Sequence, residues 1–165
     1  MHRIPYTVDD FPRNPLMFYY EVTRACDLVC KHCRASAQEN AAEDELSHEL
    51  AMKLLDDVAR FPRKPTICFT GGDPLYQAEA FTELARRIRG ETRKTIWCYT
   101  GYLFEQTLRE ERFRHLIDEI DVLVDGPFIQ SLRDEDLPFR GSTNQRIIDV
   151  RRSLQENRAV LWERI

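Results

Sequence analysis

Short runs of β-branched and aromatic residues alternate along the chain with longer stretches of helical periodicity. The runs cover residues 17–22, 65–70, 95–100 and 122–125, with a short fifth candidate at 160–162. Each is nearly continuous in apolar residues, which is typical of strands that are buried on both faces of a parallel sheet. The pattern predicts an α/β fold built from repeated strand–helix units.

Helical spacing of apolar residues predicts four helices between and after these strands. Ser47 is placed to cap the first helix, and Gly90 is placed to stop the second. The four apolar stripes lie within residues 46–58, 81–88, 108–120 and 147–154. We expect each stripe to face the core.

The size of the chain favours one folded domain over residues 1–165. A chain of this length can hide about 70% of the surface that its unfolded form exposes, so it needs no disulfide to stay folded. No apolar stretch is long enough to span a membrane, and residues 1–10 lack the apolar core of a secretion signal. The formal net charge of −4 gives no reason to expect nucleic acid as a partner. We therefore expect a soluble cytoplasmic protein.

Three of the five cysteines lie within eight residues, directly after the first predicted strand. Cys26, Cys30 and Cys33 form a C-x3-C-x2-C pattern, while Cys68 and Cys98 stand alone in apolar runs and are expected to be plain buried thiols. An odd number of cysteines in a reducing compartment indicates metal ligation or redox chemistry rather than disulfides. The polar segment 35–45 that follows is expected to be a mobile surface loop and a candidate lid.

The cysteine spacing is compatible with two kinds of metal site. Structural zinc normally takes four protein ligands, and only His32 lies near enough in sequence to complete the set. Three thiolates without an evident fourth ligand suit a [4Fe-4S] cluster in which one iron stays open for an external ligand. The cluster is the favoured interpretation; zinc and chance spacing are the alternatives.

A second motif closes the second predicted strand. Gly71 and Gly72 allow a tight turn and a close approach of the backbone to a ligand, and Asp73, followed by Pro74, supplies an acceptor. Such a turn usually has only a structural role when no other motif accompanies it. Here it follows the cysteine motif by one strand–helix unit.

The two motifs together resemble the radical S-adenosylmethionine (SAM) superfamily. The resemblance implies that Cys26, Cys30 and Cys33 hold three irons of a [4Fe-4S] cluster and that SAM chelates the fourth. It implies that the Gly71–Pro74 turn, which is similar to the superfamily's GGEP element, binds the ammonium group of SAM. The implied fold is a partial, open parallel β/α barrel. His32, where the superfamily usually has an aromatic residue, departs from the pattern.

The two halves of the chain resemble different subfamilies. Residues 15–75 are similar to radical SAM enzymes of alternative haem synthesis and peptide modification. From residue 95 onward the chain is similar to activating proteins of anaerobic ribonucleoside-triphosphate reductase, in which segments like 96–102, 122–128, 140–146 and 160–162 occur in the same order. The chain length and the lack of further clustered cysteines favour the activating proteins.

This second resemblance implies abstraction of an α-hydrogen from a glycine of the reductase, with an electron donor such as flavodoxin. A radical SAM enzyme acting on a peptide or tetrapyrrole, and a non-catalytic metal-binding domain, are the alternatives. Three further positions are candidates for SAM contacts, each with a structural alternative. Thr100 ends the third strand, Asp125 precedes a glycine that an ordinary turn explains, and Asn144 is placed to cap the fourth helix.

Overall fold

The computed structural model describes residues 7–10, 12–26, 33, 36–63, 65–91 and 93–163. Within these ranges the chain forms two compact mixed α/β units, the first ending at Gly72 and the second beginning at Asp73. Cys30, a predicted metal ligand, lies outside the described residues. The expectation of a single domain over the whole chain stays a prediction.

The first unit is built on a two-stranded parallel sheet. β1 (Met17–Thr23) pairs with β2 (Thr66–Gly71), with Met17 opposite Thr66 and Thr23 opposite Gly71. The register shifts between Glu21 and Thr23, at the end of β1 that leads into the cysteine motif. Both strands lie within one residue of their predicted bounds, and their predicted parallel pairing is confirmed.

Helix α1 (His48–Ala59) lies between these strands in sequence. Its predicted cap is confirmed, since the Ser47 Oγ accepts a hydrogen bond from the Leu50 N–H at 3.3 Å. Val58 is the buried residue of the helix. The amphipathic stripe therefore buries less apolar surface within the described residues than its spacing predicts.

The second unit is built on a three-stranded mixed sheet of order β3-β4-β5. β3 (Trp97–Tyr99) runs parallel to β4 (Val122–Asp125), as predicted. β4 runs antiparallel to β5 (Arg146–Asp149).

Apolar side chains cover both faces of this mixed sheet. Cys98, Leu123 and Ile148 belong to a core cluster shared with helices α2 (Ala78–Glu91), α3 (Phe104–Thr107) and α4 (Glu111–Asp118). On the opposite face, Val122, Val124 and Ile147 form a second cluster with Trp97 and Trp162. This burial on two faces is the physical reason for the uninterrupted apolar runs in the sequence.

The structure corrects the expected end of the chain. Ile147 and Ile148, predicted as helical, lie in β5 and are 5% and 0% exposed. Helix α5 (Val150–Glu156) begins only after Asp149, whose side chain accepts a hydrogen bond from the Arg152 N–H. The predicted fifth strand at 160–162 is an isolated bridge between Leu161 and Ile148.

Two helix boundaries also differ from expectation. α2 continues through Gly90 to Glu91, so Gly90 does not stop it. The helix expected within residues 108–120 is α4, which begins after its N-cap Glu110, whereas α3, with Leu108 as its C-cap, was not predicted. Among the described residues, no helix has the length and apolar character that crossing a membrane would require.

Candidate metal centre and cofactor site

The described cysteines of the motif lie on two chain segments that pair with each other. Ala25 forms a parallel bridge with Gln38, and the Cys26 N–H donates to the Gln38 carbonyl at 2.9 Å. On the other side of the motif, the Cys33 Sγ accepts a hydrogen bond from the Ala37 N–H at 3.2 Å. The backbone thus brings together the residues that precede and follow the cysteine motif.

The segment after the cysteines was expected to be a mobile loop and a candidate lid. In its described part, residues 36–45, it is attached at two points. Gln38 N–H donates to the Arg24 carbonyl at 2.8 Å, and the Glu45 carboxylate accepts from Thr23 and Arg24. These bonds connect the segment to the end of β1, and its mobility and its role as a lid stay predictions.

The two glycines of the second motif lie against the backbone that leads to Cys26. At Gly71, where φ is +124°, a Cβ would lie 1.9 Å from the Thr23 carbonyl oxygen. At Gly72 a Cβ would lie 2.0 Å from the Ala25 carbonyl oxygen and 3.4 Å from the Cys26 Cβ. Only residues without a Cβ permit this approach, so the glycines place the end of β2 directly beside the first cysteine.

Asp73 is the acceptor at the centre of a turn in the second unit. Its carboxylate accepts from the Leu75 N–H at 2.9 Å, from the Gly101 N–H at 2.8 Å and from the Thr100 hydroxyl at 2.8 and 3.0 Å. Thr100 is buried and its N–H donates to the Val124 carbonyl. The structure thus brings Asp73 and Thr100 together, with the Asp73 oxygens engaged by the protein's own donors.

Asp125 ends β4 and is fully buried. It accepts hydrogen bonds from the Phe104 N–H at 2.8 Å and from the Arg146 Nε at 3.0 Å, with a second, very short contact to the Arg146 Nη2. Glu105 holds the other side of the same guanidinium at 2.8 and 3.1 Å. The Arg146 guanidinium lowers the pKa of Glu105, and the two carboxylates raise the pKa of Arg146.

Asn144 lies in the turn before β5, so the expected helix cap is wrong. Its Nδ2 donates to the Pro127 carbonyl at 2.8 Å, while its Oδ1 is buried and has no hydrogen-bond partner among the described residues. A buried acceptor without a donor is costly and calls for an explanation. This atom is consistent with a contact to a ligand.

The two isolated cysteines behave differently from the motif. Cys98 is buried in the core of the second unit, as predicted, and burial raises the pKa of its thiol well above the ordinary range, with the charge of Asp73 adding to the effect. Cys68 is only partly buried in β2. Sequence reasoning missed Glu45 and Arg146 as organising residues, because their partners lie about 20 to 40 positions away along the chain.

The donor set fits an iron–sulfur cluster. Cys26 and Cys33 are partly exposed, whereas Cys98 is buried. No group of three or more Cys, His, Asp or Glu residues suited to a metal ion occurs among the described residues, and the remaining cysteine of the motif falls outside them. Soft thiolates of this kind select zinc or iron–sulfur clusters over hard cations.

Comparison with known proteins identifies a family over most of the chain. The model of the 4Fe-4S single cluster domain family matches residues 17–148. This range contains the cysteine motif, the Gly71–Pro74 turn, Thr100, Asp125 and Asn144. No solved structure matches the chain significantly.

The similar curated proteins fall into two groups. The AdoMet-dependent heme synthase of Oleidesulfovibrio alaskensis is 34% identical over 140 residues, which are 84% of this chain and 34% of the relative. The Fe-coproporphyrin III synthase of Methanosarcina barkeri is 29% identical over 85% of this chain and 32% of its own length. The anaerobic ribonucleoside-triphosphate reductase-activating protein of Vibrio cholerae is 34% identical over 73% of this chain and 79% of the relative.

The extent of these matches bears on the apparent division of the chain into two halves. The chain spans about a third of the length of the two synthases, but about four-fifths of the activating protein. Both groups match well over half of this chain, so they match overlapping residues rather than separate halves. These matches show that the chain belongs to the 4Fe-4S single cluster domain family of radical SAM proteins, whose cofactors are a [4Fe-4S] cluster and S-adenosylmethionine.

Proposed function

We propose that this chain cleaves SAM reductively and uses the resulting radical to form a glycyl radical on an anaerobic ribonucleoside-triphosphate reductase. The observation that carries this proposal is the extent of the match to the activating proteins. The chain covers 79% of the Vibrio cholerae protein at 34% identity, but only 34% of the Oleidesulfovibrio alaskensis heme synthase at the same identity. The match to the activating protein therefore extends over most of that protein's own length.

The cysteines have the first role in this proposal. Cys26, Cys30 and Cys33 would hold the [4Fe-4S] cluster and leave one iron open to SAM. The bound cluster would supply the electron for reductive cleavage of SAM. The partly exposed positions of Cys26 and Cys33 support this role.

The Gly71–Pro74 turn has the role of holding the amine of SAM. The close approach of Gly71 and Gly72 to the backbone before Cys26 supports a shared site for cluster and amine. Asp73 contributes its negative charge there while it accepts bonds from Thr100 and Gly101. Thr100 thus acts by positioning Asp73.

Two further residues complete the proposed cofactor site. Asn144 offers its buried, unpartnered Oδ1 as an acceptor for SAM. Asp125 has the less direct role, because its oxygens already accept from Phe104 and Arg146. We propose that Asp125 holds the end of β4 in place.

The architecture and the partners form a separate part of the proposal. The parallel pairs β1–β2 and β3–β4 are those expected of a partial, open β/α barrel, whereas the antiparallel β5 departs from that pattern. The substrate is the reductase itself, which would dock at the open side of the barrel. The electron comes from a low-potential protein such as flavodoxin.

The test uses anaerobically reconstituted protein with SAM, a reductant and the reductase. We expect release of 5′-deoxyadenosine and a glycyl radical signal in the electron paramagnetic resonance spectrum of the reductase. Cys26→Ala should abolish both signals, whereas the matched control Cys68→Ala, outside the motif, should retain both. SAM cleavage without a radical on the reductase would contradict the proposed substrate, and cleavage by Cys26→Ala would contradict the assigned ligands.

The second candidate is a radical SAM reaction on a tetrapyrrole. The match to the heme synthase and the Fe-coproporphyrin III synthase over about 85% of this chain favours it. The same reconstituted protein is incubated with SAM and Fe-coproporphyrin III in place of the reductase. Modified porphyrin detected by mass spectrometry, together with no glycyl radical in the reductase assay, would replace the first proposal by the second.

A further inference from the structure

Two adjacent segments of the first unit flank the cysteine motif. The upstream arm, residues 23–26, continues from β1 to Cys26, and the downstream arm, residues 36–38, follows Cys33. The arms exchange backbone hydrogen bonds, since the Gln38 N–H donates to the Arg24 carbonyl and the Gln38 carbonyl accepts from the Cys26 N–H. Any change in the upstream arm therefore moves the backbone of a cysteine ligand.

Glu45 holds the upstream arm from outside the motif. Its Oε1 accepts from the Thr23 hydroxyl at 2.8 Å and from the Arg24 N–H at 3.0 Å. The same oxygen accepts from the Ala42 N–H at 3.0 Å, which fixes the turn that carries Glu45. One carboxylate oxygen thus joins the upstream arm to the segment that begins with the downstream arm.

The effect of Glu45 extends one step further toward Cys26. While the Thr23 hydroxyl donates to Glu45, its Oγ1 accepts from the Ala25 N–H at 3.0 Å. Ala25 is the residue that bridges to Gln38 and whose carbonyl lies beside Gly72. Because a hydroxyl that donates is a better acceptor, the charge on Glu45 strengthens the Thr23–Ala25 bond as well.

The charges around Glu45 favour its ionised form. The Arg24 N–H, the Thr23 hydroxyl and the Ala42 N–H lower the pKa of Glu45, and the Arg24 guanidinium adds to this. Two other acidic groups face the same arginine, Glu21 in an ion pair and Asp44 at longer range. The Arg24 guanidinium is therefore shared by three acidic groups.

We infer that Glu45 is a positioning residue for the iron–sulfur cluster: it fixes the upstream arm and so holds the backbone of Cys26 in the position that binds the cluster. Glu45 itself contacts neither a cysteine sulfur nor, on this inference, the cluster. Mutation of residues that orient metal ligands typically lowers metal affinity about 10- to 100-fold. The inference rests on the presence of the cluster and not on the identity of the substrate.

The test compares Glu45→Ala with Glu43→Ala in reconstituted full-length protein, without reductase or added SAM. Glu43 is exposed on the same turn and is the matched control. We expect a ferrous-iron chelator to remove iron about tenfold faster from Glu45→Ala than from the unchanged protein, in line with a lost ligand-orienting contact. Glu43→Ala should release iron at the original rate.

Hydrogen exchange supplies a readout that does not depend on the cluster. In the cluster-free protein, the amides of Arg24, Ala25 and Gln38 should exchange faster in Glu45→Ala than in the unchanged protein. In Glu43→Ala their exchange rates should stay the same. Glu45→Gln, which keeps an oxygen acceptor without the charge, should fall between the two for both readouts. This graded order is not expected of a residue that only adds general stability.

Other results would overturn the inference. Unchanged iron release from Glu45→Ala would do so, as would equal acceleration in Glu43→Ala. If Glu45→Ala does not fold, Thr23→Val removes the donor on the arm, and Thr23→Ser serves as its hydroxyl-bearing control. Equal iron release from these two Thr23 variants would count against the inference. A failed reductase assay would leave all of these readouts unaffected.

Discussion

Single residues decide how closely the second motif can approach the first. Gly71 and Gly72 both lack the space for a Cβ, and in each case the obstacle is a backbone carbonyl oxygen, which cannot rotate away like a side chain. Gly71 also has a φ of +124°, a conformation that other residues rarely adopt. At Gly72, where the backbone conformation is not of this kind, substitution by alanine adds only the methyl group and so tests the close approach of the two segments.

We predict that Gly72→Ala disturbs the cysteine loop. The added methyl must push away the Ala25 carbonyl, which is 2.0 Å from its ideal position, at a cost of about 1–3 kcal/mol. Iron and sulfide content after reconstitution should fall with this change. Gly90→Ala, in helix α2 with nothing within 4 Å of the new methyl, is the control and should raise the free energy of unfolding by about 0.5 kcal/mol. Full cluster content in Gly72→Ala would contradict the prediction.

A second prediction at this scale concerns pH. The pKa of Glu105 is lowered by Arg146 below its ordinary value of 4.5. Its contribution to stability is therefore fully present above pH 4.5 and is lost as the pH falls through the lower folded value. Because the side chain is 50% exposed, the contribution at pH 7 is only about 0.5 kcal/mol.

Urea unfolding of the cluster-free protein measures this dependence. Glu105→Gln should be less stable than the unchanged protein at pH 7, and the difference should shrink at pH 4 and below. Glu111→Gln, at the exposed start of α4, should show no such change. A difference that grows toward low pH would have the wrong sign.

Elements were predictable where local patterns and tertiary packing agree. β4 and the Ser47 cap of α1 match expectation because each depends on a short stretch of sequence. β5 was missed because two adjacent isoleucines followed by Leu154 also fit a helix stripe. What makes 146–149 a strand is its pairing with β4, a partner about 25 residues away that no local pattern reveals.

The cofactor site follows the same rule. The cysteines and the Gly71–Pro74 turn were visible because their chemistry is contained in short motifs. The attachment of residues 36–45 was not visible, because it depends on Glu45 meeting Thr23 across 22 positions. The position of Asn144 was misjudged, because the helix that it was expected to cap begins only after Asp149; its contact to SAM stays a prediction.

Arg146 connects three elements, so we expect its removal to destabilise the second unit. It lies in β5 and binds Asp125 at the end of β4 and Glu105 in α3. Arg146→Met leaves the fully buried Asp125 with only the Phe104 N–H as a donor. Breaking such a pair costs about 3–5 kcal/mol.

Chemical denaturation measures this cost. We expect a large decrease in the unfolding free energy for Arg146→Met. Arg152→Met, which removes a 45% exposed arginine on α5, is the control and should change it by less than about 1 kcal/mol. If the double variant Asp125→Asn, Arg146→Met is more stable than Arg146→Met alone, the unpaired charge of Asp125 causes the loss. Equal losses in the two arginine variants would contradict this explanation.

On the scale of the whole molecule, the apolar core is distributed unevenly between the two units. Among the described residues, Val58 and Pro65 are the buried apolar side chains of the first unit, whereas the second unit contains two core clusters around its sheet. The first unit also carries the described cysteines of the motif. A unit with little buried apolar surface depends more strongly on a bound metal for its stability.

The last prediction follows from this asymmetry. Removing the cluster with a chelator under anaerobic conditions should increase hydrogen exchange in β1, β2 and residues 36–45, because metal binding free energy contributes to folding. The strands and helices of the second unit should keep most of their protection, since their core contains no cysteine of the motif. Exchange is followed by mass spectrometry before and after chelation, and Cys26→Ala, which should not retain the cluster, provides the cluster-free reference. Equal loss of protection in both units would mean that the cluster stabilises the chain as one cooperative body. No change in either unit would mean that the cluster does not contribute to the stability of the fold.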